Sequence, residues 1–310
     1  MQKGTRMTGK PSTTEKFITA LKPISQLLTG VEVELKSRSD EPRLPLTSLP
    51  TFNRKIWGLK EGLTIIGGRT SQGKSAFALQ IAHDIADQQK EVLFLSLEMS
   101  VDSMVERLFC NVMEVDNFDM LTGKLKTEFE YQAKWKTFTS LMKIPLILSC
   151  GIGKTFQELN EIISLLEPKP RVIIIDYVQG TKGQKNERED LNEYIRSFRE
   201  LCLKNGIAGV LCSQVSRAVF EEGNKEPALA NLKGTGVLEE MADTVILLHW
   251  QHFYDEKVNQ NTYKVIIAKQ RNGRTGEYLL HYKPEFYKFY DVELKKEEPQ
   301  ESNDNYKTKE

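Results

Sequence analysis

Cysteine, long apolar runs and a net charge of either sign are all scarce or missing in this sequence. Its four cysteines, Cys110, Cys150, Cys202 and Cys212, lie far apart with no C-x-x-C pair, and three sit in apolar surroundings. That spacing argues against a disulfide framework or a zinc site and predicts buried, reduced thiols. The longest apolar runs, 172–175 and 244–248, fall far short of the roughly 20 residues that span a bilayer, and positions 1–10 are polar. A soluble, cytoplasmic protein without membrane contact is expected. Lysine plus arginine (43) equals aspartate plus glutamate (43), so the chain as a whole offers no basic footprint for nucleic acid. Any such contact must come from a local surface. His249 and His252 form an H-x-x-H, but on a strand they would not share a face, and no third ligand is evident.

What is present is enough apolar content, 39% of 310 residues, for one substantial core. Residues 1–45 read as an N-terminal arm and helix: Ser12-Thr13-Thr14-Glu15 fits a capping box, and Phe17, Leu21, Ile24 and Leu28 follow at helical spacing, with Pro23 dividing the helix. The charged stretch 32–43, with Pro42, Pro45 and Pro50 around its end, reads as a linker. From about Leu46 strands and helices alternate. Strands are expected at 63–67, 92–97, 145–149, 171–176 and 207–213, with helices at 74–88, 99–113, 126–142, 155–166 and 189–204. Beyond Asp243 come strand-like runs at 244–249, 263–269, 277–282 and 286–290 without long helices between them. The reading is an α/β fold in which a mostly parallel sheet, covered by helices, is extended by antiparallel strands through residues 46–293. Residues 294–310 are polar and aperiodic and read as a disordered tail.

The string Gly68-Arg69-Thr70-Ser71-Gln72-Gly73-Lys74-Ser75 matches G-x-x-x-x-G-K-[ST] between a predicted strand and an amphipathic helix. Such a turn aims backbone N–H groups and a helix N-terminus at phosphate oxygens. Lys74 is expected to reach the β and γ phosphates of ATP, and Ser75 to ligate Mg²⁺. A second string, Gly151-Ile152-Gly153-Lys154-Thr155, lacks the first glycine, since position 148 is leucine, and is read as a decoy. Asp176 closes the apolar run 172–175, at the strand end where α/β sheets place ligands, which suits a carboxylate holding the magnesium water shell. Tyr177 follows it where many P-loop motors carry a glutamate, so the general base must lie elsewhere. Glu98, ending the strand after the P-loop helix, is the best candidate. Gln214 ends another strand and can reach the γ phosphate through its amide.

At these residues the sequence resembles the RecA-like motor of the hexameric replicative helicases of superfamily 4, the DnaB-type enzymes and the phage primase-helicases. The resemblance covers about residues 46–290 and rests on Asn53-Arg54 with Gly58-Leu59, Ser96-Leu97-Glu98-Met99, Asp176-Tyr177-Val178-Gln179, Ser213-Gln214 with Arg217, Leu232-Lys233-Gly234-Thr235-Gly236 and Lys269-Gln270-Arg271-Asn272-Gly273. It implies that Lys269 and Arg271 reach a neighbouring subunit's γ phosphate, Arg271 as arginine finger, and that Arg107 lies near the phosphates. It implies DNA-contacting loops at 180–190, with Lys182, Lys185 and Arg188, and at 231–237, with Lys233, Gly234, Thr235 and Gly236. Gly234 stands where many DnaB-type enzymes carry glutamate and phage primase-helicases often carry glycine. The helix at 12–28 looks like the family's linker helix, which docks on the next subunit.

The implied protein is an ATP- and Mg²⁺-dependent homo-hexamer that translocates 5′ to 3′ on single-stranded DNA, unwinds duplex and works with a separate primase or loader. Residues 1–45 are too short for the family's N-terminal or primase modules, so neither activity is expected of this chain. Two other readings stay open: a RecA-like ATPase of recombination, repair or regulation that does not unwind, and a ring or loader that binds DNA or a helicase and hydrolyses little. The Lys269 and Arg271 pair with the Gly234 loop favours the helicase over the first, and intact Lys74, Glu98 and Asp176 argue against the second.

Overall fold

The computed structural model describes residues 44–123, 128–177, 187–216, 226–232 and 236–292, together with positions 23, 24, 26, 28, 32, 33 and 36. The chain divides into two compact units, Met1–Pro42 and Arg43–Glu310. In the first, Ile24, Gln26 and Leu28 are helical after Pro23, and so are Glu32, Val33 and Lys36, which the sequence pattern places in a linker. Lys36 and Glu32 form an i,i+4 ion pair there. The rest of the expected arm and the tail at 294–310 lie outside the described residues.

The second unit is built on one nine-stranded sheet in the order β3-β2-β4-β5-β1-β6-β7-β8-β9. The strands are β1 (Gly62–Gly68), β2 (Val92–Ser96), β3 (Leu146–Cys150), β4 (Val172–Asp176), β5 (Ala208–Gln214), β6 (Thr244–His249), β7 (Thr262–Gln270), β8 (Gly276–Lys283) and β9 (Lys288–Asp291). The first six are parallel and the last three antiparallel, as the change of pattern after Asp243 predicts. Alternation along the buried strands feeds two cores. Val172 and Ile174 join Phe94, Val210 and Ile246 on one face, beneath helices α2 (Lys74–Asp87) and α3 (Val101–Met113). Ile173 and Ile175 join Leu63, Ile65 and Leu211 on the other. There they meet helix α6 (Phe156–Leu165), α7 (Glu187–Asn205) and the short α8 (Gly236–Met241). With both faces covered, β1, β2 and β4 carry unbroken apolar burial.

Three helices go beyond what the sequence pattern predicts. α1 (Pro50–Ile56) starts on a proline that the pattern counts with the linker; proline is tolerated at a helix start because that N–H has no intrahelical partner. The Asn53 side chain closes it onto the chain before it by accepting from Leu46 N at 2.8 Å. α4 (Asn117–Thr122) is capped by Asp116 and buries no residue, so it leaves no apolar period to read. α8 begins at Gly236, which the sequence pattern places in a loop. The remaining described helix, α5 (Glu128–Leu141), packs on α3 through Tyr131, Trp135 and Phe138 around Phe109. Cys110, Cys202 and Cys212 are buried and Cys150 is exposed, all as free thiols. Among the described residues no helix is long and apolar enough to cross a membrane.

Candidate active site

Parallel register decides which side chains meet. Gly68 pairs with Gln214 and Ser96 with Asp176, so the C-terminal ends of β1, β2, β4 and β5 form one edge. The P-loop leaves that edge and turns into α2 through Gly73, whose φ of 75° is left-handed and whose position leaves little room: a Cβ there would stand 3.1 Å from Phe289 Cζ. Glycine meets both demands. The Ser96 hydroxyl accepts from Glu98 N and Met99 N at 3.3 and 2.7 Å, which fixes the turn that carries Glu98 off β2. A cavity of about 210 Å³ opens here, lined by Thr70, Ser71, Gly73, Lys74, Ser75, Glu98, Met99, Arg107, Asp176, Tyr177 and Gln214.

Lys74 and Asp176 are both buried at its base. Burial draws the Lys74 ammonium below its usual pKa, while Cys212, Asp176 and Glu98 pull it back up. Burial likewise raises the Asp176 carboxyl, against hydrogen bonding from Ser75 and the charges of Lys74 and Arg107. Lys74 Nζ donates to Arg69 O at 2.7 Å. Asp176 Oδ2 is buried with no hydrogen-bond partner. A hydroxyl and a carboxylate oxygen side by side, one lone pair set unused, fit a hydrated divalent cation. Tyr177 is raised by burial and by Glu98 and Asp176, and bonds the Gln214 amide.

Around this cavity are supports that sequence reasoning misses. The Arg107 guanidinium lies over the Tyr287 ring, 5.1 Å from its centroid, and Asn111 Nδ2 holds Tyr287 by donating to its carbonyl at 2.8 Å. Gln72 turns away from the cavity: its side-chain oxygen accepts from Trp250 N at 2.6 Å, and its carbonyl accepts from the Tyr263 hydroxyl. Arg69 turns to Tyr254, with its guanidinium 5.6 Å from the ring centroid. These partners lie about 180 residues along the chain from the loop and follow no motif, so only the fold brings them into view. Gly151–Thr155, the decoy string, ends in the capping box of α6, where Thr155 and Glu158 bond each other, and serves as a helix start. His249 is buried and stacked on Tyr254, while His252 meets Val258 O; among the described residues no cluster could hold a metal through histidine, cysteine or carboxylate ligands.

Lys269 and Arg271 stand elsewhere. Gln270 pairs with Thr244 and Thr244 with Thr64, so the end of β7 lies level with the start of β1, at the opposite edge of the sheet. Lys269 Nζ donates to Glu239 O and Glu240 O at 2.6 and 3.2 Å, and Arg271 Nη1 pairs with Asp243 Oδ1 at 3.1 Å. Burial and the neighbouring Arg271 lower the Lys269 pKa. Lys182, Lys185, Lys233, Gly234 and Thr235, and Arg217 beside Gln214, lie outside the described residues. Arg188 falls in the first turn of α7, and Gly236 opens α8.

This arrangement, a P-loop in a central strand with acidic and amide groups at neighbouring strand ends, has close counterparts. The profile of the DnaB-like helicase C-terminal domain matches residues 46–291. The chain belongs to this family. Among DnaB-like relatives, the replicative DNA helicase DnaB of Geobacillus stearothermophilus is 30% identical over 277 residues, 82% of this chain and 59% of that protein. The replicative DNA helicase DnaC of Bacillus subtilis is 30% identical over 261 residues, 80% of this chain and 57% of that protein. The chain therefore spans less than two thirds of the length of these relatives. Among solved structures, its fold is that of an isolated ATPase domain, with a TM-score of 0.78 at 23% identity over 87% of this chain and 99% of that one. A DnaB-like replicative helicase studied with primase superposes with a TM-score of 0.79 at 23% identity, over 90% of this chain and 70% of that one.

Proposed function

We propose that the chain is the motor of a ring-forming replicative DNA helicase, which hydrolyses ATP to move along single-stranded DNA and separate duplex. The observation that carries this reading is the convergence of Lys74, Ser75, Glu98, Arg107, Asp176 and Gln214 on one cavity at the strand-end edge, in a chain of the DnaB-like family. Lys74 and Arg107 neutralise phosphate charge, and the P-loop N–H groups hold the phosphate oxygens. Ser75 and Asp176 hold magnesium, which neutralises charge between the β and γ phosphates when bound. Glu98, on its exposed turn, orients the attacking water and accepts its proton. Gln214 reads the γ phosphate. Val215 follows it and forms a bridge with Leu232, next to the loop proposed for DNA, so the amide that senses phosphate sits one residue from the strand that carries that loop.

Hydrolysis is completed from a second copy. Thr64, level with Gln270, lies four residues before Gly68, so about 13 Å of strand separates Lys269 and Arg271 from the chain's own P-loop at ~3.3 Å per residue. They face a neighbour's phosphate in a closed homo-hexamer, which also carries Lys182, Lys185, Arg188, Lys233, Gly234, Thr235 and Gly236 to a central strand of DNA. A separate primase or loader completes the machine. The deciding experiment is ATP turnover with single-stranded DNA. Glu98→Gln is expected to bind ATP normally and stop turnover, and Lys74→Ala to lose both binding and turnover. Normal turnover in Glu98→Gln moves the base to another residue, and electron micrographs of the ATP and DNA complex without rings overturn the hexamer.

A further inference from the structure

The residue that immediately precedes β6, Asp243, makes more fixed contacts than a strand-end carboxylate needs. Its N–H donates to Leu63 O at 2.8 Å, and its Oδ2 accepts from Leu63 N at 2.9 Å, so both backbone and side chain are tied to the central strand. Gly62 makes room for this: it has a φ of 107°, and a Cβ there would stand 2.4 Å from Asp243 Oδ2. The remaining oxygen, Oδ1, faces two guanidiniums, Arg199 Nη2 at 3.0 Å and Arg271 Nη1 at 3.1 Å. Asp243 O also accepts from Arg271 N at 2.8 Å, which fixes the base of the arginine as well as its tip. Arg271 Nη2 donates to Glu240 O at 3.3 Å, at the end of α8 where carbonyls face outward.

We propose that Asp243 is the positioning residue for Arg271, presenting its guanidinium to the phosphate of the neighbouring subunit in one orientation. The inference rests on Arg271 acting in trans. A free arginine samples many rotamers, and ordering it during the reaction slows the step; a finger already held by a carboxylate on the central strand is spared that ordering. A guanidinium has five N–H donors. Two of those on Arg271 are engaged by Asp243 and Glu240, and the rest stay available for phosphoryl oxygens. Arg199 shares Oδ1 and keeps the carboxylate turned toward the arginines while Leu63 holds the other oxygen. Asp243 touches no reacting atom in this scheme; it acts through Arg271.

The test is a set of subunit mixtures made with full-length chains. Asp243→Asn keeps shape and an acceptor for Leu63 N and removes the charge. It is expected to bind ATP as wild type does and to lose about tenfold to a hundredfold in DNA-dependent turnover, the scale of a misplaced catalytic group. Mixed with Glu98→Gln it regains activity, because a Glu98→Gln subunit supplies intact Asp243 and Arg271 to an intact Glu98 site. Mixed with Arg271→Ala it stays inactive, because every interface then has a defective finger. Full turnover of Asp243→Asn, rescue by Arg271→Ala, or failure to be rescued by Glu98→Gln overturns the assignment. If Asp243→Asn does not fold, Asp243→Glu, which keeps the charge and moves it by one methylene, is read in the same mixtures by the same outcomes. Failure of the underlying reading looks different: Arg271→Ala would itself turn over normally.

Discussion

Asp84 carries a cost that depends on pH. It is buried on α2, where its Oδ2 accepts from Ser48 N at 3.2 Å and Ser48 Oγ at 2.7 Å, fastening the segment before α1 to the P-loop helix. Burial raises its pKa to about 6; the bonds from Ser48 and Thr47 oppose the shift and Asp87 adds to it. A carboxyl whose pKa is higher folded than unfolded binds more protons in the folded state, so its contribution is best below about pH 4 and declines as pH rises to about 6. The decline is at most about 3 kcal/mol, at about 1.4 kcal/mol per unit. Asp84→Asn resembles the protonated form at every pH. Its stability relative to wild type, from urea unfolding, should therefore rise between about pH 4 and 6 and level off above. Parallel pH profiles for the two proteins would mean that Asp84 titrates normally.

At the scale of elements, the P-loop is held in shape by strands that follow it by nearly two hundred residues. Tyr263 on β7 donates its hydroxyl to Gln72 O, and Tyr282 and Phe289 stack with ring centroids 4.3 Å apart against Gly73. Tyr263→Phe leaves that carbonyl buried and without its donor, an expected loss of about 1–3 kcal/mol in unfolding free energy. ATP affinity should fall with it, while Glu98 and Asp176 stay in place; unchanged affinity would show that the loop keeps its shape without β7. Those supports are not legible in the sequence, because a tyrosine in a strand reads only as core. The site itself is. Lys74, Glu98, Asp176 and Gln214 each stand at a motif or at the end of an apolar run, and a parallel sheet brings such ends to one edge. Elements escape the pattern where a local signal has a second meaning. Pro50 starts a helix but reads as a breaker, Gly236 starts one but reads as a loop, and α4 has no buried face to give it a period.

On the scale of the whole molecule, a chain with 43 basic and 43 acidic residues cannot bind DNA by its overall field. Binding must come from loops repeated around a ring, so Lys233→Ala should weaken single-stranded DNA binding and flatten its salt dependence by about 0.7 for each phosphate no longer neutralised. An unchanged slope would send the DNA to another surface. The same ring supplies the sharpest consequence of having Lys269 and Arg271 at the sheet edge away from the chain's own P-loop. Arg271→Ala should bind ATP, assemble, and lose roughly 10³-fold or more in turnover, as arginine fingers do. Glu98→Gln should be equally inactive for the opposite reason. When the two are mixed, an interface is active only if its Glu98 comes from the Arg271→Ala chain and its Arg271 from the Glu98→Gln chain. In random closed rings that pairing occurs at about a quarter of interfaces in an equal mixture, and its frequency follows the product of the two fractions. Turnover should therefore trace a parabola across the mixing series, zero at both ends and highest in the middle. A flat line at zero for rings known to exchange subunits, or activity in Arg271→Ala alone, would place the missing cation within the chain and remove the need for a neighbour.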